Sequence, residues 1–244
     1  MAGIDLVSPE GLRLDGRKCH ELRKITCKKG VFLQADGSAS IEQGNTKVVA
    51  SVFGPHEVMI RSKALHDTCI INCQYRMASF STSERKNRNK GDRKSIDISL
   101  MLSKMFETAI MKELYPRSQI DIYIQVIQSD GSNIAASINA ATLALIDAGV
   151  PMRDFVCACS SSYVQENFLA DINYLEESSG VSRVTLGMLP KSEKVVFFQM
   201  DSRLHKDNLE SLMETTKAAC LDVWAVLKEA VKEHSHKQAI TLVV

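Results

Sequence analysis

The chain has 244 residues, with 30 Lys and Arg against 29 Asp and Glu, a formal net charge of +1. Hydrophobic residues make up 45% and charged residues 24%, with 12 Gly and 5 Pro, which excludes a disordered chain and a globally basic nucleic-acid binder. The length supplies a full hydrophobic core.

Residues 1–17 mix Asp5, Glu10, Arg13, Asp15 and Arg17 with scattered apolar positions, without an apolar run of signal-peptide length. Apolar runs such as 48–50 and 195–198 are far too short for a bilayer span. A soluble intracellular chain with no membrane partner is expected.

In chain order, strands are predicted at 31–35, 39–43 and 46–53, the last two joined by Gly44-Asn45 and the third closed by Gly54-Pro55. A strand at 69–75 and a helix at 95–115 follow, the helix stopped by Pro116. Residues 120–128 alternate, with Ile120, Ile122, Ile124 and Val126 on one face and Asp121, Tyr123 and Gln125 on the other. The turn Asp130-Gly131-Ser132 leads into an alanine-rich helix at 134–148, with Gly149 as its C′ residue and Pro151 blocking continuation. Strands at 155–164, 183–189 and 195–200 precede an amphipathic helix at 206–234. This order predicts an α+β fold with hairpin-connected strands rather than βαβ alternation, in a single domain over 1–244. The runs 34–38 and 128–132 share Asp-Gly-Ser, a faint echo that chance turn chemistry or a duplicated half-domain would produce.

Seven cysteines without C-x-x-C spacing predict free thiols in a reducing compartment, with Cys157 and Cys159 as buried small hydrophobes. His234 and His236 diverge around a helix and read as solvated helix-end residues. No metal and no cofactor is expected.

Three places carry potential chemistry. Residues 85–94 hold Arg85, Lys86, Arg88, Lys90, Arg93 and Lys94 against Asp92, a local net charge of +5 delivered into a helix start. Such a segment either tracks the phosphates of a single strand or is a solvated loop. The turn Asp130-Gly131-Ser132-Asn133 lies where a phosphate-cradling turn would, but matches neither a P-loop nor a dinucleotide fingerprint; on spacing alone it is an ordinary turn and helix cap. Asp171, Glu176 and Glu177 could hold Mg²⁺ or act as general acids, or form a solvated acidic loop. Ser160-Ser161-Ser162 has no recognisable catalytic partners.

Several segments together resemble the RNase PH family: residues 8–17, 35–38, 42–46, 80–82 with the basic loop, 116–122 and 145–154. The similarity spans nearly the whole chain and is strongest to the ring subunits of the eukaryotic RNA exosome that correspond to the archaeal exosome's active subunit. It implies the RNase PH fold, a duplicated βαβα unit like that of ribosomal protein domain 2. It also implies a hetero-oligomeric ring of RNase PH-like subunits with RNA-binding cap subunits, an associated hydrolytic exoribonuclease and single-stranded RNA as partners. The implied roles are rRNA processing and mRNA decay in nucleus, nucleolus and cytoplasm.

Active members bind inorganic phosphate and release nucleoside diphosphates from RNA 3′ ends. The resemblance puts the phosphate-site remnant at Gly131, Ser132 and Asn133, the vestigial catalytic pair at Asp171 and Glu177, and RNA-binding positions at Arg61, Ser62, Arg85, Lys86, Arg93 and Lys94. Ser132 stands where active members have a second glycine, Ile134 where an arginine can stand, Glu177 where an aspartate is usual, and Lys94 where arginine is typical. A non-catalytic channel subunit is therefore expected, the alternatives being an active phosphate-dependent 3′→5′ exoribonuclease and a homohexameric transfer-RNA trimming enzyme.

Overall fold

The computed structural model describes residues 6–59, 65–85, 92–164 and 167–243. Two sheets form the frame. The first contains β1 (Ile25–Lys29), β2 (Gly37–Gln43), β3 (Thr46–Glu57), β4 (Ile70–Met77) and β5 (Ser118–Gln128), in the order β1-β2-β3-β5-β4. All neighbours are antiparallel except β4 and β5, which are parallel and connected through α1 (Arg93–Ala109). The second contains β6 (Cys157–Val164), β7 (Asn167–Ala170), β8 (Ser182–Leu189) and β9 (Lys194–Met200), antiparallel throughout in the order β7-β6-β8-β9.

Between the sheets lies α2 (Asn133–Asp147), buried at every position from Ala135 to Leu145. Its alanines allow close approach to strands on both sides: it meets β2, β3 and β5 of one sheet and β6 and β8 of the other. A continuous hydrophobic cluster accordingly joins Ile41, Ala50 and Ile124 to Ala158 and Phe197. The one fully buried asparagine of α2 has a specific task. Short β7 pairs only with residues 161–164 of β6, so at Ala158, whose register partner on β8 is Gly187, the opposite edge of β6 has no strand beside it; there Asn139 donates to Ala158 O and accepts from Ala158 N, both at 2.9 Å. The outer face of the second sheet is covered by α4 (Lys206–Val243) through Leu212, Ala219, Cys220 and Val223. No described helix is long and apolar enough to cross a membrane.

Most strongly periodic elements match the sequence pattern to within a few residues; α4 starts as expected at Lys206 but runs past the expected end at 234 to Val243, and the other exceptions have physical causes. Residues 31–35 form no strand. Gly30 turns the chain at φ +65°, Phe32 N donates to Ser38 Oγ at 2.8 Å, and Leu33 stands fully exposed. The edge strand is instead β1, whose lysines mask the inward alternation of Ile25 and Cys27. Gly54-Pro55 does not close β3, which continues to Glu57 after a register shift between Phe53 and His56. Helix α1 ends at Ala109, and residues 112–114 are a separate 3-10 turn. The short β7 and α3 (Tyr174–Ser178) carry too few residues for a readable period.

The Asp-Gly-Ser echo is not a structural duplication: one copy enters a strand and the other a helix, both before the second sheet begins. Cys157 and Cys159 are buried, and desolvation pushes both thiols up. His234 is not a solvated helix-end residue. Its Nε2 is buried 3.7 Å from Asp147 Oδ1, at the point where α4 meets the end of α2.

Candidate functional site

A cleft of about 580 Å³ opens where the starts of α1 and α2 face the second sheet. Lys94, Asp97, Ile98 and Met101 of α1 line one side, Ser132, Asn133 and Ile134 another, and Ser160, Thr185, Arg183, Gln199, Asp201 and Glu177 the second-sheet side. Neither α1 nor α2 has an acidic residue in its first turn, so two positive dipole ends meet in one cleft.

The turn before α2 is shaped by backbone constraint. Gly131 sits at φ +80°, and a Cβ there would lie 2.5 Å from the Asn173 carbonyl carbon, so only glycine fits. Ser132 follows in the left-handed region at φ +53°, and its hydroxyl donates to Ile172 O at 2.9 Å. That hydroxyl is committed to the neighbouring backbone. Asn133 Nδ2 donates to Ser129 Oγ at 2.8 Å, while its Oδ1 is buried without a hydrogen-bond partner.

Beneath the turn, Arg23 acts as a hub. Its Nη1 donates to Asp130 O at 2.7 Å, and its Nη2 and Nε donate to Asp171 Oδ1 and Oδ2 at 2.7 and 3.0 Å. Arg23 N adds a bond to Asp171 Oδ2 at 2.9 Å. Thr46 Oγ1 donates to Gly131 O at 2.9 Å and accepts from Asp130 N, binding the β2–β3 hairpin to the same turn. Asp171 has no exposed side-chain surface. Burial alone would raise its carboxyl, but the hydrogen bonds and charge of Arg23 outweigh burial and hold it below the usual carboxylate value.

Asp171 is therefore not presented to the cleft and does not form a pair with Glu177 there; it is a structural counter-ion. Glu176 is equally enclosed: Arg13 grips it through both Nε and Nη2, with neither side chain exposed. The acidic cluster is thus not a solvated loop. Glu176 also completes a capping box with Asn173, accepting from Asn173 N at 2.9 Å while Asn173 Oδ1 accepts from Glu176 N at 3.0 Å. This fixes the short α3 and directs Glu177 into the cleft.

In the cleft, Arg183 of β8 bridges two acids, pairing through Nη1 with Glu177 and through Nη2 with Asp201. Burial opposes its charge, yet the two carboxylates raise its pKa further above the normal arginine value. Gln199 Nε2 donates to Asp201 Oδ1 at 2.9 Å. Ser160 Oγ and Thr185 Oγ1 hydrogen-bond each other at 3.0 Å, and Ser161 pairs with Thr216 of α4, so these residues do have partners, though structural ones. Among the described residues, no group of three or more His, Cys, Asp or Glu side chains is placed to hold a metal ion.

The sequence-predicted residues divide accordingly. Ser132, Asn133, Lys94 and Glu177 share the cleft; Arg93 is exposed at the start of α1, and Gly131 lies just behind the cleft wall. Arg85 is exposed and does not line the cleft. Arg61, Ser62 and Lys86 fall outside the described residues. Sequence reasoning missed Arg183 and Asp201, although a signal existed: Arg183 and Thr185 alternate with Val184 and Leu186 at the start of a predicted strand.

Comparison with known proteins agrees with this architecture. Residues 21–151 match the family model described as 3′ exoribonuclease family, domain 1, and residues 154–219 match domain 2. The chain is 52% identical over 243 residues to the exosome complex component RRP41 of Homo sapiens, covering 99% of each. Among solved structures, rice (Oryza sativa) Rrp46 superposes with a TM-score of 0.78 at 22% identity, over 88% of this chain and 98% of that one. The Archaeoglobus fulgidus exosome with RNA bound to the active site gives 0.76 at 22% identity, over 88% and 92%. With both domain models matched in order along one chain, and the cleft lying between the sheets those domains supply, the chain belongs to the 3′ exoribonuclease (RNase PH) family.

Proposed function

We infer that this chain is a non-catalytic core-ring subunit of an RNA exosome, helping to form a channel that binds single-stranded RNA. It guides 3′ ends to an associated 3′→5′ exoribonuclease, alongside other RNase PH-like ring subunits and RNA-binding cap subunits. The near full-length similarity to a protein named as an exosome complex component supports the ring assignment. Work in nucleus, nucleolus and cytoplasm belongs to the same reading.

The observation that carries the non-catalytic half is the internal commitment of the groups chemistry would need. Asp171 is sealed against Arg23, Glu177 is held by Arg183, and the Ser132 hydroxyl is given to Ile172 O. A general acid must be free to move a proton to the reacting oxygen, and a phosphate-binding hydroxyl must be free to donate to it. Beside the exposed acid Asp97, the cleft and its rim keep Lys94, Arg93 and two helix starts open, which suit the backbone of a passing strand without reading its bases.

The test is a ring reconstituted with its partner subunits and incubated with RNA and inorganic phosphate. Binding without phosphate-dependent release of nucleoside diphosphates is the expected result. Release of nucleoside diphosphates that disappears with Glu177→Gln would identify an active phosphorolytic enzyme instead.

A further inference from the structure

The bridge at Arg183 has a consequence for which ions the cleft admits. Three elements converge on it. Glu177 comes from α3, locked by the Asn173–Glu176 capping box, and Arg183 from the start of β8; Asp201 follows β9, its backbone N–H donating to Arg183 O at 3.2 Å. All three side chains line the cleft and are between a quarter and roughly a third exposed, so they form its wall rather than the protein core. The geometry is a fork: one guanidinium nitrogen serves each carboxylate, and Arg183 N is itself anchored to Ser202 Oγ at 3.0 Å. Without the guanidinium, two carboxylates would face each other beside the hydroxyls of Ser160 and Thr185, an all-oxygen donor set of the kind that suits Mg²⁺ or Mn²⁺ with retained waters.

We propose that Arg183 is the residue that sets the charge preference of this cleft: as shared counter-ion of Glu177 and Asp201, it withholds both carboxylates from divalent cations. The planar fork matters, because its Nη1 and Nη2 sit in a fixed geometry, each aimed at one acid, which a flexible ammonium does not reproduce. Divalent metal would have to displace a fixed cation and sit beside it. The inference deepens the non-catalytic reading above and rests on it for its biological meaning, since a cleft wall whose Glu177 and Asp201 are neutralised repels passing RNA phosphates less.

The experiment compares assembled rings carrying the wild-type chain, Arg183→Gln or Arg183→Met, with Mn²⁺ as probe. Free Mn²⁺ is read by electron paramagnetic resonance and thermal stability by melting with and without Mn²⁺. Both variants should bind Mn²⁺ at least about tenfold more tightly than wild type and melt higher in its presence, and adding Glu177→Gln should abolish both gains. Equal Mn²⁺ binding by wild type and the folded variants overturns the proposal. So does a variant that stays unfolded in saturating Mn²⁺, because a cation bound between the freed acids must restore their balance. Release of nucleoside diphosphates by the wild-type ring would instead overturn the non-catalytic reading, whatever the Mn²⁺ result.

Discussion

Asp171 and Glu177 differ by six positions and carry the same charge, yet their surroundings assign them opposite kinds of work. Asp171 has no side-chain exposure and is held by Arg23 through side chain and backbone. Removing one partner of such a pair leaves a buried charge uncompensated, so Asp171→Asn should cost about 3–5 kcal/mol in chemical denaturation at neutral pH. Because its folded pKa lies below its unfolded value near 3.8, this stabilisation is complete above that value. It is lost as pH falls through the folded pKa, so the stability gap between wild type and Asp171→Asn should narrow on acidification below about pH 4. An unchanged gap would show that Asp171 is not the titrating group. Glu177, partly exposed beside Arg183, should cost no more than about 1 kcal/mol as Glu177→Gln. The acids were legible in the sequence as candidates. Their separation was not, because Arg23 lies 148 residues from Asp171 and Arg13 163 from Glu176, beyond the reach of any local pattern.

Among the elements, α2 does the most to define the molecule, and its period, alanine content and C′ glycine were all readable in advance. What could not be read is how tightly its end is engaged. Gly37, at the start of β2, lies so close that an added Cβ would come within 2.3 Å of Ala148 N and 2.4 Å of Ala144 O. Both are backbone atoms of the helix end, which cannot swing aside as a side chain would. Ser38 N meanwhile donates to Asp147 Oδ2 at 3.1 Å, tying strand and helix together. Gly37→Ala should therefore destabilise by about 1–3 kcal/mol, the usual range for overpacking, and lower the melting temperature by several degrees. A neutral substitution would mean that β2 and α2 pack less tightly than these distances require. The Asp-Gly-Ser echo thus hid two unrelated requirements: Gly37 makes room for a helix end, and Gly131 permits a left-handed turn. Identical letters arose from different constraints, which is why the echo does not mark equivalent positions of two repeated units. Conversely, β1, β7 and α3 escaped notice because edge lysines or shortness erase the alternation on which strand and helix assignment depends.

Across the whole molecule, a net charge of +1 conceals an unequal distribution, and the start of α1 is where that inequality has a measurable cost. Arg93 and Lys94 occupy the first turn, where the helix dipole is already positive, no acidic residue offsets it, and Asp92 makes no side-chain cap. Cations there cost about 0.3–1 kcal/mol each in the free chain. Polyanion binding would reverse the sign of that contribution, since phosphates are attracted by both the dipole end and the side chains. Arg93→Glu separates the two situations. Replacing a cation by an anion in the first turn should raise the melting temperature of the isolated chain slightly. In the assembled ring the same change should weaken binding of single-stranded RNA and reduce the slope of log affinity against log salt by about 0.7 for each phosphate that is no longer neutralised. The two effects have opposite signs, so a generally damaging mutation cannot imitate them. If Arg93 only decorates a solvated helix start, the stability gain will appear while RNA affinity and its salt slope stay at wild-type values. The measurement then decides whether the basic segment entering α1 is part of an RNA path or a surface the ring leaves unused.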